Sequence, residues 1–388
     1  MSDLPSRADI IIIGGGVIGA SVAYHLAQKG VTNIVLLEKG AVGAQGATAK
    51  CLGGFRTQFS TEINIRFSLL SKATFDSFKT DLGMDIDFLP LGYLFLATEK
   101  QHLRVIENTV SLMASLGCSA EVLPSERIAR RWPFIDTRDL LGGSYTDRDG
   151  FYGPNEVVQG FARQAQKLGV KIFENVEVTN LKVEHGRIKG VQTSGGHNIQ
   201  AEGVVNAAGP WSGQIASLAG LDLPINPLRR HLFFVEAFDE LPDQFPFIYD
   251  MANGWYIRRE GRGLILGGPP GEASFSDKVD FEALEWTAIA SLKRIPVLER
   301  ASIARGWVGH YEVTPDHHSV IGEFPEVKGL FIVSGFSGHG FQHSPTAGRV
   351  TAEMILDGQA STIDIHPLRP TRFRENDLIH EPLTAFKA

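Results

Sequence analysis

The sequence predicts a mixed α/β (α+β) protein of two or three domains, and three observations support this fold class. The chain has 388 residues, and globular domains hold about 100–200 residues each. Residues 9–38 alternate strand, glycine turn, helix and strand. Residues 229–268 instead contain the β-like runs LFFVEAF, GWYIRRE and GLILGG, separated by turn signals. Such runs suit a mixed or antiparallel sheet, and residues 281–293 are predicted to form a helix.

The first element resembles a dinucleotide-binding unit. The apolar run Ile10–Ile13 leads into the glycine-rich turn Gly14–Gly19, and the helix that follows is closed by Gly30. A second apolar run, Ile34–Leu37, ends at Glu38, which lies 19 residues after Gly19. This spacing, with a strand, a glycine turn, a helix, a second strand and an acid in that order, predicts a Rossmann-like unit that binds a dinucleotide.

Three glycines of the turn have a physical role in this prediction. Gly14 makes the tight turn, Gly16 lets the backbone approach a pyrophosphate, and Gly19 lets the helix lie close to the sheet. The helix N-terminus offers N–H groups to the phosphates. Glu38 can accept the ribose hydroxyl protons, and an acid at this position disfavours the 2′-phosphate of NADP.

Later segments decide between NAD and FAD. Residues 43–59 form a glycine-rich loop where a nicotinamide-binding fold normally continues into a crossover helix. Residues 204–211, VVNAAGPW, are predicted to be a strand ending in small residues. The strand Gly329–Val333 leads into a second glycine loop, SGFSGHGFQ. Together these segments favour FAD.

The last helix is predicted to begin with Ser344 as N-cap and Pro345 at its first position, and to end at Gly358. In an FAD protein the N-terminus of such a helix can face the flavin. Its dipole then stabilises the reduced anion.

Composition excludes several classes of function. A net charge of −7 and a pI near 6.0 argue against a general nucleic-acid partner. Two cysteines, Cys51 and Cys118, exclude a disulfide scaffold. No apolar run approaches the roughly 20 residues of a membrane span, and the N-terminus does not read as a signal peptide. We therefore expect a cytoplasmic protein without a membrane span.

The chain resembles the D-amino-acid-oxidase-like (DAO) family of FAD-dependent oxidoreductases. The residues that carry the resemblance are GGGVIG with Glu38 and Lys39, GGFRTQF, Tyr311 followed by Thr314-Pro315-Asp316, and GFSGHGFQ. Within the family, the chain is most similar to the branch of sarcosine oxidase, glycine oxidase and the dye-linked L-proline dehydrogenase β-subunit.

The resemblance implies two interleaved domains. Residues 1–85, 145–218 and 302–388 would form a Rossmann-like (GR2-type) FAD-binding domain, and residues 86–144 and 219–301 a substrate-binding domain. It also implies oxidation of the C–N bond of an amino acid or N-alkyl amino acid, by hydride transfer to flavin N5. The substrate would be a small molecule similar to sarcosine, glycine or proline.

The resemblance also implies catalytic residues. Arg56 aligns with the arginine of the family's carboxylate site, and a guanidinium fork matches a carboxylate. Tyr311 aligns with a tyrosine beside the flavin, and Tyr256 can line the pocket with Arg258. Gln342 departs from the family pattern, because sarcosine oxidases have a lysine there, but it can still donate a hydrogen bond.

Three arginines, Arg229, Arg230 and Arg258, are weaker candidates that we expect to be structural. The histidines around Tyr311, which are His310, His317 and His318, lack ligand spacing, so we expect no metal site.

The resemblance assigns cofactor contacts along the chain. The expected FAD-binding residues are Gly14, Gly16, Val17, Ile18, Gly19, Glu38, Lys39, Gly46, Ala47, Thr48, Lys50, Val178, Ala208, Gly209, Trp211, Gly338, His339, Gly340, Phe341 and Gln342. We expect FAD to be bound without a covalent link, because Gly309 lies where monomeric sarcosine oxidases have the cysteine that is linked to the flavin.

The electron acceptor is predicted from one position. Oxidases of this branch have a lysine in a GLKIG-type segment above the flavin, and the matching segment here places Ile265 at that position. An apolar side chain cannot stabilise developing superoxide. We therefore expect a dehydrogenase that passes electrons to a quinone or to a partner protein.

Two other functions remain open from the sequence. One is oxidation of a 2-hydroxy acid or a polyol phosphate on the same fold, and the other is an FAD-bearing assembly factor or partner subunit without catalysis. Fold alone does not separate these.

Overall fold

The computed structural model of the chain describes residues 4–383, and this part forms two large sheets, two small sheets and the helices around them. The strands, in chain order, are β1 (Ile10–Ile13), β2 (Ile34–Glu38), β3 (Gly54–Phe55), β4 (Tyr93–Ala97), β5 (Glu121–Pro124), β6 (Gly142–Thr146), β7 (Gly150–Phe151), β8 (Lys171–Glu174), β9 (Val178–Glu184), β10 (Arg187–Thr193), β11 (Asn198–Gln200), β12 (Gly203–Asn206), β13 (Asn226–Val235), β14 (Phe247–Asp250), β15 (Tyr256–Glu260), β16 (Gly263–Ala273), β17 (Ile303–Val313), β18 (Val320–Glu323) and β19 (Leu330–Ser334).

The α-helices, again in chain order, are α1 (Val17–Gln28), α2 (Gly46–Ala49), α3 (Glu62–Asp76), α4 (Phe78–Leu82), α5 (Lys100–Ser115), α6 (Ser125–Arg131), α7 (Pro154–Lys167), α8 (Ser212–Ser217), α9 (Phe281–Arg294), α10 (Gly340–Asp357) and α11 (Arg372–Glu375). Short 3₁₀ helices span Gly209–Trp211, Pro296–Arg300 and His366–Leu368.

The six-stranded sheet has the strand order β18-β19-β12-β1-β2-β8. Strand β1 lies at its centre and pairs in parallel with both β2 and β12. All four residues of β1 are isoleucine and buried, as expected for a parallel strand covered on both faces. This sheet confirms the dinucleotide-binding unit predicted from the first residues.

Helix α1 follows β1 and packs against both α7 and α10. It is buried from Val17 through Ala27, so it is a central helix rather than an amphipathic surface helix. Gly30, with φ of +94°, follows its C-cap residue Lys29 as predicted. The dense packing fixes the position of the helix N-terminus relative to the sheet.

The eight-stranded sheet has the strand order β17-β13-β16-β15-β14-β4-β6-β5. Its pairs are antiparallel except for the parallel pair of β14 with β4, so the sheet is mixed, as expected. Helix α9 packs on it, and the indole Nε1 of Trp255 donates to Ser291 Oγ at 2.8 Å.

The predicted division into domains stays a prediction. Strand β17, which we assigned to the FAD-binding domain, pairs along its length with β13 of the eight-stranded sheet. Two smaller sheets, β11-β10-β9 and β3-β7, complete the strand pairing.

The predicted start of the last helix is wrong by five residues. Helix α10 begins at Gly340 with His339 as N-cap, and Pro345 lies inside the helix. Burial of Phe341, Gln342 and His343 extends the helix into the glycine loop, beyond the local Ser-Pro signal. Because proline lacks an N–H, it cannot donate to the carbonyl of Phe341. The true N-terminus therefore lies within the glycine loop.

Within residues 4–383, no helix combines the length and apolar character needed to cross a membrane.

Candidate active site

A long cavity lies between the carboxyl ends of the strands in the six-stranded sheet and one face of the eight-stranded sheet. We call the part lined by residues 13–18, 37–39 and 207–211 the cofactor end. We call the part lined by β4, β13, β14, β15 and β17 the substrate end. The segment of residues 45–56, which includes α2 and β3, and the N-terminus of α10 lie along the cavity.

Close backbone packing shapes the cofactor end. Gly14 has a φ of +110°, and a Cβ there would lie 2.4 Å from the carbonyl oxygen of Ala207. A Cβ at Gly19 would lie 1.9 Å from the carbonyl oxygen of Gly14. Only glycine fits both positions, so the turn, the helix and the neighbouring strand come together without side chains between them.

Contacts within the protein hold Glu38 and Lys39 at the cofactor end. The carboxylate of Glu38 accepts from the backbone N–H of Gly15 at 2.7 Å and from that of Gly40 at 2.8 Å. The Nζ of Lys39 lies 3.2 Å from the ring centroid of Trp211, and burial lowers the pKa of Lys39. Each carboxylate oxygen of Glu38 has further acceptor capacity for a ribose hydroxyl.

Two helix N-termini reach the cavity. Helix α1 has no side-chain cap of its own, and the backbone N–H of Val17 donates to Thr48 Oγ1 at 3.1 Å. Helix α10 also begins without a side-chain cap, and Gly340, Phe341 and Gln342 at its start line the cavity. The N-terminus of α1 favours a phosphate, and the N-terminus of α10 favours an electron-rich ring edge. The cradle therefore fits FAD.

The structure brings the predicted cofactor-binding residues together. Every one of them except Gly19 lines this cavity. Gly19 instead packs against the carbonyl of Gly14, and its contribution is to the position of α1.

Arg56 lies at the junction between the glycine-rich loop and the substrate end. Its side chain is buried with the Cζ atom 3.6 Å from the ring centroid of Phe59, and Nη1 donates to the carbonyl oxygen of Gln58. Burial lowers the pKa of Arg56, and the charges of Glu381 and Asp149 partly offset that effect. The guanidinium is thus a cation held in place at the cavity wall.

Gln342 connects α10 to the loop that carries Arg56. Its Oε1 accepts from the backbone N–H of Arg56 at 2.8 Å. Its Nε2 lies 3.4 Å from Ser68 Oγ and 3.3 Å from His343 Nε2. Both ends of the amide are therefore engaged within the protein, although the residue lines the cavity.

Tyr311 and Tyr256 both line the cavity and both are buried in it. A Cβ at Gly338, where φ is +96°, would lie 2.3 Å from the ring of Tyr311, so this glycine admits the tyrosine. Burial raises the pKa of both phenols. They are neutral hydroxyls that can orient a substrate but cannot act as anions near pH 7.

Sequence reasoning underrated or missed several lining residues. Arg230, expected to be structural, lines the cavity, as do the residues Tyr93, Phe95, Phe247 and Tyr249. The available signal was strand alternation, since residues 93 and 95, like 247 and 249, face the same side of the sheet. Without knowledge of the strand order, the sequence predicts only that these aromatic residues belong to a hydrophobic core.

The other two arginines are placed as expected. Arg229 forms an ion pair with Asp280 at 2.8 Å. Arg258 pairs with Glu260, and its Cζ lies 4.5 Å from the ring centroid of Phe151.

A buried carboxyl supports the Arg56 loop from behind. Asp149 Oδ1 accepts from both the backbone N–H and the hydroxyl of Thr57, each at 2.9 Å. Burial raises the pKa of Asp149 to about 7. The carboxylate of Glu381, which is also buried, accepts from the backbone N–H of Ser60 at 2.7 Å and from Asn64 Nδ2 at 3.1 Å. The chain near its described end thus holds the same loop.

The structure describes no metal-binding cluster: within residues 4–383, no three His, Cys, Asp or Glu side chains come together in a suitable arrangement.

Comparisons with known proteins agree with this geometry. Residues 9–354 match the model of the family described as FAD dependent oxidoreductase (DAO). The chain is 31% identical to FAD-dependent oxidoreductase domain-containing protein 1 of Xenopus laevis, over 95% of this chain and 83% of that protein. It is 30% identical to human mitochondrial sarcosine dehydrogenase over 96% of this chain, which spans only 42% of that protein.

Among solved structures, the chain is similar to L-proline dehydrogenase from P. horikoshii. The TM-score is 0.89 at 29% identity, and the match covers 97% of this chain and all (100%) of that one.

Proposed function

The chain belongs to the DAO family of FAD-dependent oxidoreductases, and we propose that it oxidises the C–N bond of an amino acid or an N-alkyl amino acid. The observation that carries the proposal is Arg56, a buried cation at the cavity wall beside the start of α10. The proteins to which this chain is similar include a sarcosine dehydrogenase and an L-proline dehydrogenase. Both names fit a substrate with an amine next to a carboxylate.

Bound FAD supplies the acceptor for the hydride that leaves the carbon beside nitrogen. In our proposal, Arg56 binds the substrate carboxylate and thereby fixes which carbon faces the cofactor. Gln342 acts as a positioning residue, because its Oε1 holds the backbone N–H of Arg56. Tyr311 and Tyr256 orient the amine through neutral hydroxyls.

The electrostatics of the cavity favour a neutral amine. Arg56 and Arg230 both line it, and nearby positive charge disfavours a bound ammonium. Among the lining residues of the eight-stranded sheet, the acid is Glu312, whose pKa is raised by burial and which accepts from Ser334 Oγ at 2.6 Å. The substrate therefore gives up its ammonium proton to solvent on binding, and its nitrogen lone pair can assist hydride departure.

The decisive experiment is anaerobic mixing of the yellow holoenzyme with a panel of secondary amino acids, primary amino acids and 2-hydroxy acids. We expect amino acids, and not hydroxy acids, to remove the absorbance of the oxidised flavin. Bleaching by hydroxy acids alone would contradict the proposal. An unbleached flavin across the whole panel would instead favour an FAD-bearing partner subunit without catalysis.

We also propose that the flavin is bound without a covalent link. Gly309 offers no side chain for attachment, and a Cβ there would meet Lys50 Cβ at 3.6 Å. Burial raises the pKa of Cys51 to about 11, which keeps its sulfur a thiol. Acid precipitation should release the yellow colour into the supernatant, and colour retained in the pellet would contradict this.

The enzyme is proposed to be a cytoplasmic dehydrogenase that donates electrons to a quinone or a protein partner. Ile265 is buried in an apolar and aromatic cluster with Leu232 and Tyr256, so it provides no charge for oxygen reduction. Stopped-flow mixing of the reduced enzyme with O₂ should show slow reoxidation, and Ile265→Lys should accelerate it. Rapid reoxidation of the unmodified enzyme, with peroxide formed in equal amount, would contradict the proposal.

A further inference from the structure

The segment of residues 274–280 joins β16 to α9, and we call it the strap. The ring of its Phe275 stacks on the indole of Trp211, with the ring centroids 5.1 Å apart and an interplanar angle of 16°. Trp211 lines the cofactor end of the cavity, whereas Phe275 does not. The strap therefore packs against the wall of the cofactor end from outside.

Two further contacts join the strap to residues that line the cavity. Lys50 Nζ donates to the carboxylate of Asp277, and Asp277 is 72% exposed. The ring nitrogen Nε2 of His310 lies 3.3 Å from the carbonyl oxygen of Ser276. Because exposed ion pairs contribute little, the aromatic stack is the stronger link between the strap and the cavity wall.

The stacked rings lie where the cofactor end meets solvent. Lys39, whose Nζ lies 3.2 Å from the centroid of the Trp211 indole, is exposed. Both Trp211 and Phe275 are half-buried. Gly46 of α2 also approaches the indole, since a Cβ there would lie 3.5 Å from Trp211 Cζ3. Separate parts of the chain thus meet around Trp211 at the mouth of the cavity.

Arg229 holds the strap to the eight-stranded sheet. Its guanidinium donates to both carboxylate oxygens of Asp280, at 2.8 and 3.0 Å. Its Nε donates to the carbonyl oxygen of Ser276 at 3.2 Å, and its Nη2 donates to that of Lys278. A bidentate pair of this kind fixes geometry as well as adding energy. Since Arg229 is buried on β13, it sets the position of the strap relative to the sheet.

We propose that the strap retains FAD, and that Phe275 and Arg229 are positioning residues for cofactor binding. Phe275 holds the indole of Trp211 at the cofactor end, and Arg229 acts through the strap that carries Phe275. The contacts at the mouth must break before FAD leaves, so the strap lowers the rate of FAD dissociation. This inference rests on the non-covalent binding proposed above, and it is independent of the substrate.

The test measures the release of FAD from diluted holoenzyme without substrate, followed by flavin fluorescence. Phe275→Ala removes the stacked ring, so the release rate should rise about tenfold. Phe275→Tyr keeps a stacked ring and should release FAD at nearly the rate of the unmodified protein. The matched control is Phe281→Ala, which removes a phenylalanine of α9 that is 73% exposed and should leave the rate unchanged.

Arg229→Met should also raise the release rate, because the strap loses its bonds to β13. Since Arg229 is proposed to act through Phe275, the double variant should release FAD less than about threefold faster than the faster single variant. Arg262→Met, which removes an exposed arginine paired with Asp239, is the control. If Phe275→Ala does not fold, Phe275→Leu keeps an apolar side chain without the flat ring and should raise the rate in the same direction.

Excess free FAD separates a loss of retention from a loss of folding. A ligand that binds only the folded protein restores occupancy when its concentration far exceeds the dissociation constant. Phe275→Ala should therefore recover full flavin content in excess FAD, and titration should give a higher dissociation constant than for the unmodified protein. A variant that is merely misfolded would not recover its flavin, and that result would count against a role in retention.

Equal release rates in Phe275→Ala and the unmodified protein, or an equal rise in Phe281→Ala or Phe275→Tyr, would overturn the inference. If acid precipitation releases the flavin and Phe275→Ala has no effect, only the role of the strap fails. If acid leaves the flavin in the pellet, the non-covalent binding and this inference fail together. Oxidation of amino acids is tested separately, because the release of FAD is measured without substrate.

Discussion

The cofactor end and the substrate end of the cavity are built in opposite ways. At the cofactor end, closely packed backbone atoms and glycines make much of the site, as in the contacts of Gly14 with the carbonyl of Ala207 and of Gly19 with the carbonyl of Gly14. At the substrate end, side chains from five strands make it, and those strands span residues 93–313. Gly14 and Gly19 at the first end leave no room for an added Cβ, whereas the second end depends on which functional groups it presents. Substitutions should therefore affect cofactor content at one end and catalysis at the other.

The largest effect is expected at Gly14. In Gly14→Ala the new methyl group would lie 2.4 Å from a backbone carbonyl, at a φ of +110°. We expect the purified protein to lose most of its bound FAD, measured by its visible absorbance.

The matched control for this change is Gly30→Ala. Gly30 also has a positive φ, of +94°, but no heavy atom lies within 4 Å of the added Cβ. The strain of about 1–2 kcal/mol should lower the melting temperature and leave the FAD content intact. Equal FAD loss in both variants would show that backbone conformation, rather than close packing, governs this end.

The next effect is expected at Arg56. Removing one partner of a buried charge pair costs about 2–5 kcal/mol, so Arg56→Ala should lower kcat/KM roughly 10²-fold or more while the protein stays yellow. The control is Arg66→Ala, which removes a more exposed arginine of α3 paired with Glu62. Unchanged kinetics in Arg56→Ala with full FAD content would remove Arg56 from the substrate site.

A smaller effect, on stability, is expected from the buried acid behind the loop. Burial raises the pKa of Asp149 to about 7 from the ordinary value of 3.8, so between these values the folded protein holds a proton that the unfolded chain has released. Stability from this group is therefore lost as pH rises towards 7. The melting temperature of Asp149→Asn, relative to the unmodified protein, should increase over this range and level off above it.

The control for this pH dependence is Asp239→Asn, which removes an exposed carboxylate paired with Arg262. Its difference from the unmodified protein should not follow the same curve. If Asp149→Asn shows a constant difference at every pH, the Asp149 carboxyl does not titrate in this range.

The smallest effect is expected at Gln342. Gln342→Met keeps the length of the side chain and removes the acceptor for the Arg56 N–H. The loss of about 1 kcal/mol corresponds to roughly fivefold in kcat/KM. Because Gln342 is proposed to act through Arg56, the change should add little to Arg56→Ala in the double variant. Full additivity would indicate an independent role for Gln342.

The sequence predicts the cofactor end almost completely. Ile10–Ile13, the glycine turn, α1 and Glu38 follow one another along the chain, and their spacing reflects local backbone geometry. The C-terminal loop and its helix were also predicted, but the first residue of α10 was placed at Pro345 instead of Gly340. There the local Ser-Pro signal gave way to the burial of residues 341–343, a tertiary effect.

The sequence by itself determined the fold class, the cofactor and the family, because glycines and apolar runs at fixed spacing encode short-range geometry. Only the tertiary structure decided which side chains share the substrate end. Arg229 and Arg230 are neighbours in sequence, yet one pairs with Asp280 and the other lines the cavity. Adjacent residues on a strand face opposite sides of a sheet, and the side that becomes the cavity is fixed only when distant strands pair.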